Sequence, residues 1–138
     1  MNALKLGVIV LLLASAAGCS ASTSTTDKPA GPPKNGGTYD TPADIVEALE
    51  DEGVMCDGLH EMPDAEDPAM TQKCSGHGGD VIVRVFDYPA ELEAEREAFD
   101  GAGIFEGKGM LVGKNWNLLG LKSFAEAAHE KLGGKLLD

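Results

Sequence analysis

The stretch Gln72-Lys73-Cys74-Ser75-Gly76-His77-Gly78-Gly79-Asp80-Val81-Ile82-Val83-Arg84-Val85-Phe86 decides the fold class. Val81, Val83 and Val85 alternate with Ile82, Arg84 and Phe86, and β-branched residues in a period of two suit a pleated strand with one buried face. Gly76, Gly78 and Gly79 supply a turn immediately before it. Residues 72–75 are therefore expected to fold back on residues 80–86 as an antiparallel hairpin. A weaker copy of the pattern lies downstream, where residues 110–112 and 116–119 flank the turn Gly113-Lys114-Asn115.

Helices are expected around the two hairpins. Thr41 is a good N-cap, Pro42 suits the first helical position, and Asp44 lies in the first turn. Ile45, Val46 and Leu49 then share one face, Glu47, Glu50 and Asp51 the other, and Gly53 ends the run. Pro89 opens a second helix over residues 89–99, with Leu92 and Phe99 inward and a very acidic outer face. Its Glu91/Glu95 and Glu93/Glu97 pairs are like-charged neighbours that cost a little stability in solvent. Ser123 with Glu126 three residues on reads as a capping box for a last helix. Phe124, Ala128 and Leu132 form its apolar stripe, and Gly133-Gly134 ends it. The resulting order, α-β-β-α-β-β-α, predicts an α+β domain with an antiparallel sheet on one side and about three helices on the other.

The N-terminal third is organised differently. Lys5 precedes the apolar run Leu6 to Leu13, and small residues Ala14-Ser15-Ala16-Ala17-Gly18 lead to Cys19. A charged start, a short apolar core and a small-residue exit are the features of a secretory signal. The run is too short to span a membrane, which takes about 20 apolar residues. Ala16-Ala17-Gly18-Cys19 resembles the lipobox of bacterial lipoproteins, whose cysteine is acylated and becomes the new N-terminus. The resemblance implies that residues 1–18 are a lipoprotein signal peptide and Cys19 the lipidation site, with anchoring at the outer face of the cell membrane. Attaching two or three acyl chains at one residue gives a stable anchor where one chain is marginal, at about 0.8 kcal/mol per buried methylene. Residues 19–38, rich in Ser, Thr, Pro and Gly, read as a disordered tether that cannot bury enough apolar surface to order itself. Residues 39–138 are left as one small globular domain.

Composition limits the partners. The formal net charge is −12. Removing residues 1–18 takes away Lys5 and no acid, leaving ten Lys+Arg against 23 Asp+Glu, a net of −13. Nucleic acid requires clustered cations on one face, so no nucleic-acid partner is expected. Anionic lipid would repel the domain, which is expected to stand off the membrane as a soluble monomer held only by its lipid.

Cys56 and Cys74 remain once Cys19 is acylated, and an even pair in an exported chain reads as a disulfide. Closing a loop of about 18 residues contributes roughly 3 kcal/mol. The alternative is tetrahedral Zn²⁺ held by Cys56-x-x-x-His60 and Cys74-x-x-His77. Oxidising conditions favour the bridge, and no metal ligands are assigned. Asp57, Glu61, Asp64, Glu66 and Asp67 fill an irregular acidic segment over residues 57–68. Their spacing matches no calcium-binding loop, so they read as a solvated charge run.

No serine-nucleophile elbow and no zinc-protease motif is present. Gly101-x-Gly103-x-x-x-Gly107 is one residue off the dinucleotide fingerprint and follows a helix, so it reads as a loop. His129, beside Glu130 in the last helix, reads as a surface or half-buried residue rather than a catalytic one. Trp116 reads as core packing, and its exposure would instead suggest a binding anchor. No cofactor and no catalytic residue is assigned.

A helix ending near Cys56, a strand carrying Cys74, the valine-rich strand, Gly113-Lys114-Asn115-Trp116 and Gly133-Gly134 together resemble small lipoproteins and exported proteins of high-GC Gram-positive bacteria and their phages. Such proteins mostly have no assigned activity; the missing active-site constellations lead to the expectation of a non-catalytic interaction module at the envelope, with an envelope protein as its partner. Superinfection exclusion is one role found among such phage lipoproteins. The rival expectation is a small-ligand or cation-binding lipoprotein using the acidic segment. A hydrolytic enzyme joining His60 or His77 to a nucleophile ranks last.

Overall fold

The computed structural model describes residues 32–102 and 106–138. The expected signal peptide, Cys19 and the expected tether as far as residue 31 lie outside the described residues. The chain runs α1 (Pro42–Asp51), β1 (Asp57–Glu61), β2 (Thr71–Gly76), β3 (Gly79–Val85), α2 (Pro89–Ala102), β4 (Lys108–Val112), β5 (Trp116–Leu121), α3 (Lys122–Leu132) and β6 (Lys135–Leu137). The expected α+β class with three helices and an antiparallel sheet is what forms. All six strands join one sheet in the order β1-β2-β3-β5-β4-β6.

The β2–β3 hairpin pairs from Thr71↔Arg84 to Gly76↔Gly79. His77, at φ 52°, and Gly78, at φ 82°, make its turn through left-handed backbone that glycine tolerates best. β3 then pairs with β5, which lies between it and β4. β3 and β4 therefore run parallel with β5 between them, and α2 is the crossover that connects them.

Register separates the two faces. Cys74, Val81, Val83, Trp116, Leu118 and Leu111 point to one side and are fully buried or nearly so. α1 and α3 cover that face with Ile45, Leu49, Phe124, Ala125 and Ala128, forming the main core. On the other side, Met110 and Leu137 pack with Phe99 of α2 in a second, smaller cluster. Arg84 is on this second face too, and ion-pairs with Glu95 of α2. The helices are thus divided, two on one face and one on the other, where the sequence reading puts them together. The reason lies in β3, whose alternate positions Ile82 and Arg84 are half-buried rather than fully solvated.

Other details also differ from expectation. Residues 57–61, read as irregular, form the edge strand β1. It is largely exposed, and its pairing with β2 shifts register between Asp57 and His60, with Gly58 at φ 71°. A strand paired on one side only and wet on both faces has no alternation to betray it, and such an irregularity discourages edge-to-edge association. Gly133 ends α3, but the chain goes on into the three-residue β6. α3 begins at Lys122 behind Leu121, with no side-chain cap, so the Ser123–Glu126 box does not form. A capping box does form at α1, where the Asp44 backbone N–H donates to the Thr41 hydroxyl and the Asp44 carboxylate accepts from the Thr41 N–H.

Cys56 and Cys74 are joined by a disulfide, with Cα atoms 5.4 Å apart. Both are buried in the main core, at 1% and 2% exposure. The bridge fixes the segment after α1 to the middle of β2.

Candidate functional site

Two features stand out at the end of the sheet where β3 finishes and the β4–β5 turn lies. The first is a clamp on residues 36–39. Asn115 accepts from the Tyr39 backbone N–H at 3.1 Å and donates through its amide to the Tyr39 carbonyl at 2.7 Å, pairing with it as a strand neighbour would. The Lys114 N–H donates to the Gly37 carbonyl at 3.2 Å. The Trp116 indole N–H reaches the carbonyls of Gly36 and Gly37 at 3.2 and 3.3 Å, and the Tyr39 ring meets the indole edge-on at 5.7 Å.

Close approach requires glycine at two of these points. A Cβ on Gly113 would overlap the indole ring, and one on Gly133, whose φ is 73°, would overlap the Pro33 carbonyl. Pro33 and Gly36, which the sequence reading assigns to the tether, are thus packed against the domain. Trp116 is completely buried, as expected of a packing residue.

Burial raises the Tyr39 hydroxyl pKa above its ordinary value of 10.0. The folded state then holds this proton more tightly than the unfolded chain does. The associated stability is complete below about pH 10 and falls as pH rises through the folded-state pKa. Chemical denaturation between pH 7 and 11 is expected to show this alkaline loss, and Tyr39→Phe to diminish it. An undiminished loss in the phenylalanine variant would assign the effect to other groups.

The second feature is an open cleft of about 660 Å³ on the α2 face. Its floor is Thr71, Arg84 and Val85. One wall is the segment Phe86, Asp87 and Tyr88, continuing into the α2 residues Glu91, Ala94, Glu95 and Ala98. Ala65, Glu66, Asp67 and Met70 close the opposite side. The space exists because α2 presents alanine at positions 94 and 98, one turn apart, where larger side chains would fill it.

Arg84 donates through Nη1 to Glu95, while its Nε–H is buried with no partner among the described residues. A buried unpaired donor costs about 1–3 kcal/mol, so this guanidinium is held in place at some expense. Asp67 is also constrained: one carboxylate oxygen accepts from the N–H groups of Ala69 and Met70 at 3.2 and 3.3 Å. Tyr88 is 66% exposed at the lip. Among the described residues, five carboxylates face a single cation in this lining.

The remaining residues singled out in the sequence are scattered. His60 is exposed on β1, with Nδ1 2.7 Å from the Gly58 carbonyl. His77 is exposed in the hairpin turn, its ring edge-on to Phe124 at 5.4 Å. With both cysteine sulfurs in the disulfide, a zinc site made of these cysteines and histidines does not assemble. His129 is exposed on α3. The acidic segment is divided: Asp57 and Glu61 lie on β1, whereas Glu66 and Asp67 border the cleft. Among the described residues no group of three or more His, Cys, Asp or Glu side chains is placed to hold a metal ion. Among those residues, too, no helix is long and apolar enough to cross a membrane.

Sequence reasoning missed the cleft because its residues come from a loop, two strands and a helix. The available hint was Arg84 and Phe86 occupying the outward positions of the valine strand, beside an α2 carrying few apolar residues. No protein-family model, curated protein or solved structure matches the chain.

Proposed function

We propose that this chain is a non-catalytic binding module of the cell envelope, tethered by lipid at Cys19 and presenting the α2 cleft to a partner. The cleft is the observation that carries the binding part of this reading. Its volume falls within the roughly 300–1,000 Å³ of ligand sites, and it combines apolar walls with a few fixed charged groups, as such sites do. The location rests on the leader and its lipobox-like end, with support from the core disulfide, since such bridges persist in oxidising compartments.

The test is fractionation of cells producing the full chain or its Cys19→Ala form, with protease added to intact spheroplasts. The wild-type chain is expected in the membrane fraction and open to external protease, and the variant in the medium. Wild-type protein found in the cytosol with free thiols would refute the proposal.

A further inference from the structure

We propose that the α2 cleft binds an extended lysine- or arginine-bearing segment of a partner protein. This deepens the binding reading above and rests on it for the biological setting. Charge sets the class of ligand. Among the described residues, Glu66, Asp67, Asp87, Glu91 and Glu95 line the cleft against Arg84 alone, and Arg84 is already paired with Glu95. A ligand entering this space meets a surplus of negative charge next to low-dielectric walls, where the field is strengthened.

The distribution of those charges selects the kind of cation. Glu66 and Asp67 belong to the loop before β2, Asp87 follows β3, and Glu91 and Glu95 occupy successive turns of α2. They do not converge on a point where one metal ion would sit. Carboxylates spread along two sides of an open cleft match cations spaced along a chain. The apolar part of the lining supports the same choice. Phe86 and Tyr88, together with the methyl groups of Ala94 and Ala98, give the stems and neighbours of those cations a surface to lie on. Exposed Tyr88 at the lip can take a guanidinium or ammonium against its ring face.

The probe is a fluorescein-labelled (Lys-Ala)4 peptide, titrated by anisotropy with the full chain in non-ionic detergent. The (Glu-Ala)4 peptide is the control. Saturable binding of the lysine peptide alone is expected, weakening as salt is raised. The double variant Asp87→Lys/Glu91→Lys is expected to weaken it at least tenfold. Ala94→Trp, which fills the cleft without changing charge, is expected to weaken it to a similar degree. Glu47→Lys, exposed on α1 across the sheet, is expected to change it less than twofold.

Absence of binding to wild type overturns the proposal. So does an equal loss in Glu47→Lys, which would assign binding to net charge, or full binding by Ala94→Trp, which would place it outside the cleft. Displacement by spermidine at matched charge would make a small polyamine the ligand and overturn the protein-segment assignment. The two readings fail separately. A cytosolic chain that binds the peptide refutes only the envelope location, and an anchored chain that ignores it refutes only this inference.

Discussion

Replacing Trp116 by alanine is expected to destabilise the domain by about 3–5 kcal/mol, the range for deleting a large buried aromatic side chain. The indole is fully buried, packs into the main core and carries the hydrogen bonds that hold residues 36 and 37. Removing it leaves a cavity, frees the Gly36 carbonyl and takes one donor from the Gly37 carbonyl, which keeps the Lys114 N–H. For a domain of this size about 4 kcal/mol corresponds to a melting temperature lower by roughly 15–30 °C. Trp116→Phe separates the two contributions. It keeps most of the packing but loses the N–H donor, so a smaller loss is expected together with faster amide exchange at Lys114, whose N–H bonds to Gly37. A Trp116→Ala chain that melts within a few degrees of wild type would contradict the buried clamp.

The second large effect is expected at the disulfide. The double variant Cys56→Ala/Cys74→Ala should lose about 3 kcal/mol of loop-closure stabilisation across a sequence separation of 18 residues. A further loss comes from the small cavities left in the core. Native stabilities are about 5–15 kcal/mol, so this is a large fraction of the total. With 1% and 2% exposure, the cysteines are shielded from solvent reductant. Reduction at neutral pH should be slow in the native protein and rapid once denaturant opens the core. Equal reduction rates with and without denaturant would show that the bridge is accessible in the folded state.

The parts of this fold that the sequence made legible are those with local periodicity. Val81, Val83 and Val85 announced β3, and Thr41-Pro42 with Ile45, Val46 and Leu49 announced α1 because cap and stripe lie within three turns. β1 and β6 were invisible for opposite reasons. The first is wet on both faces and pairs irregularly, and the second has only three residues. The missing cap at α3 is a case of tertiary packing overriding a local motif. Leu121 still belongs to β5 when the helix begins, and the buried stripe Phe124, Ala125, Ala128 and Leu132 sets its start.

The clamp was half legible. Gly113-Lys114-Asn115-Trp116 reads as a turn, but its partners lie 76 to 80 residues earlier, a separation no pattern in one sequence exposes. The cleft was less legible still, since the acidic run over residues 57–68 looks uniform. Only the fold divides it into an edge strand and a cleft border.

The proposed acylation at Cys19 and the bridge between Cys56 and Cys74 both change the mass of the chain. The intact mass of protein extracted from membranes in detergent, taken before and after reduction under denaturing conditions, tests both directly. The predicted result is a polypeptide that begins at Cys19, carries acyl groups and gains two hydrogens on reduction. An unacylated chain in the culture fluid, or a mass unchanged by reductant, would contradict it.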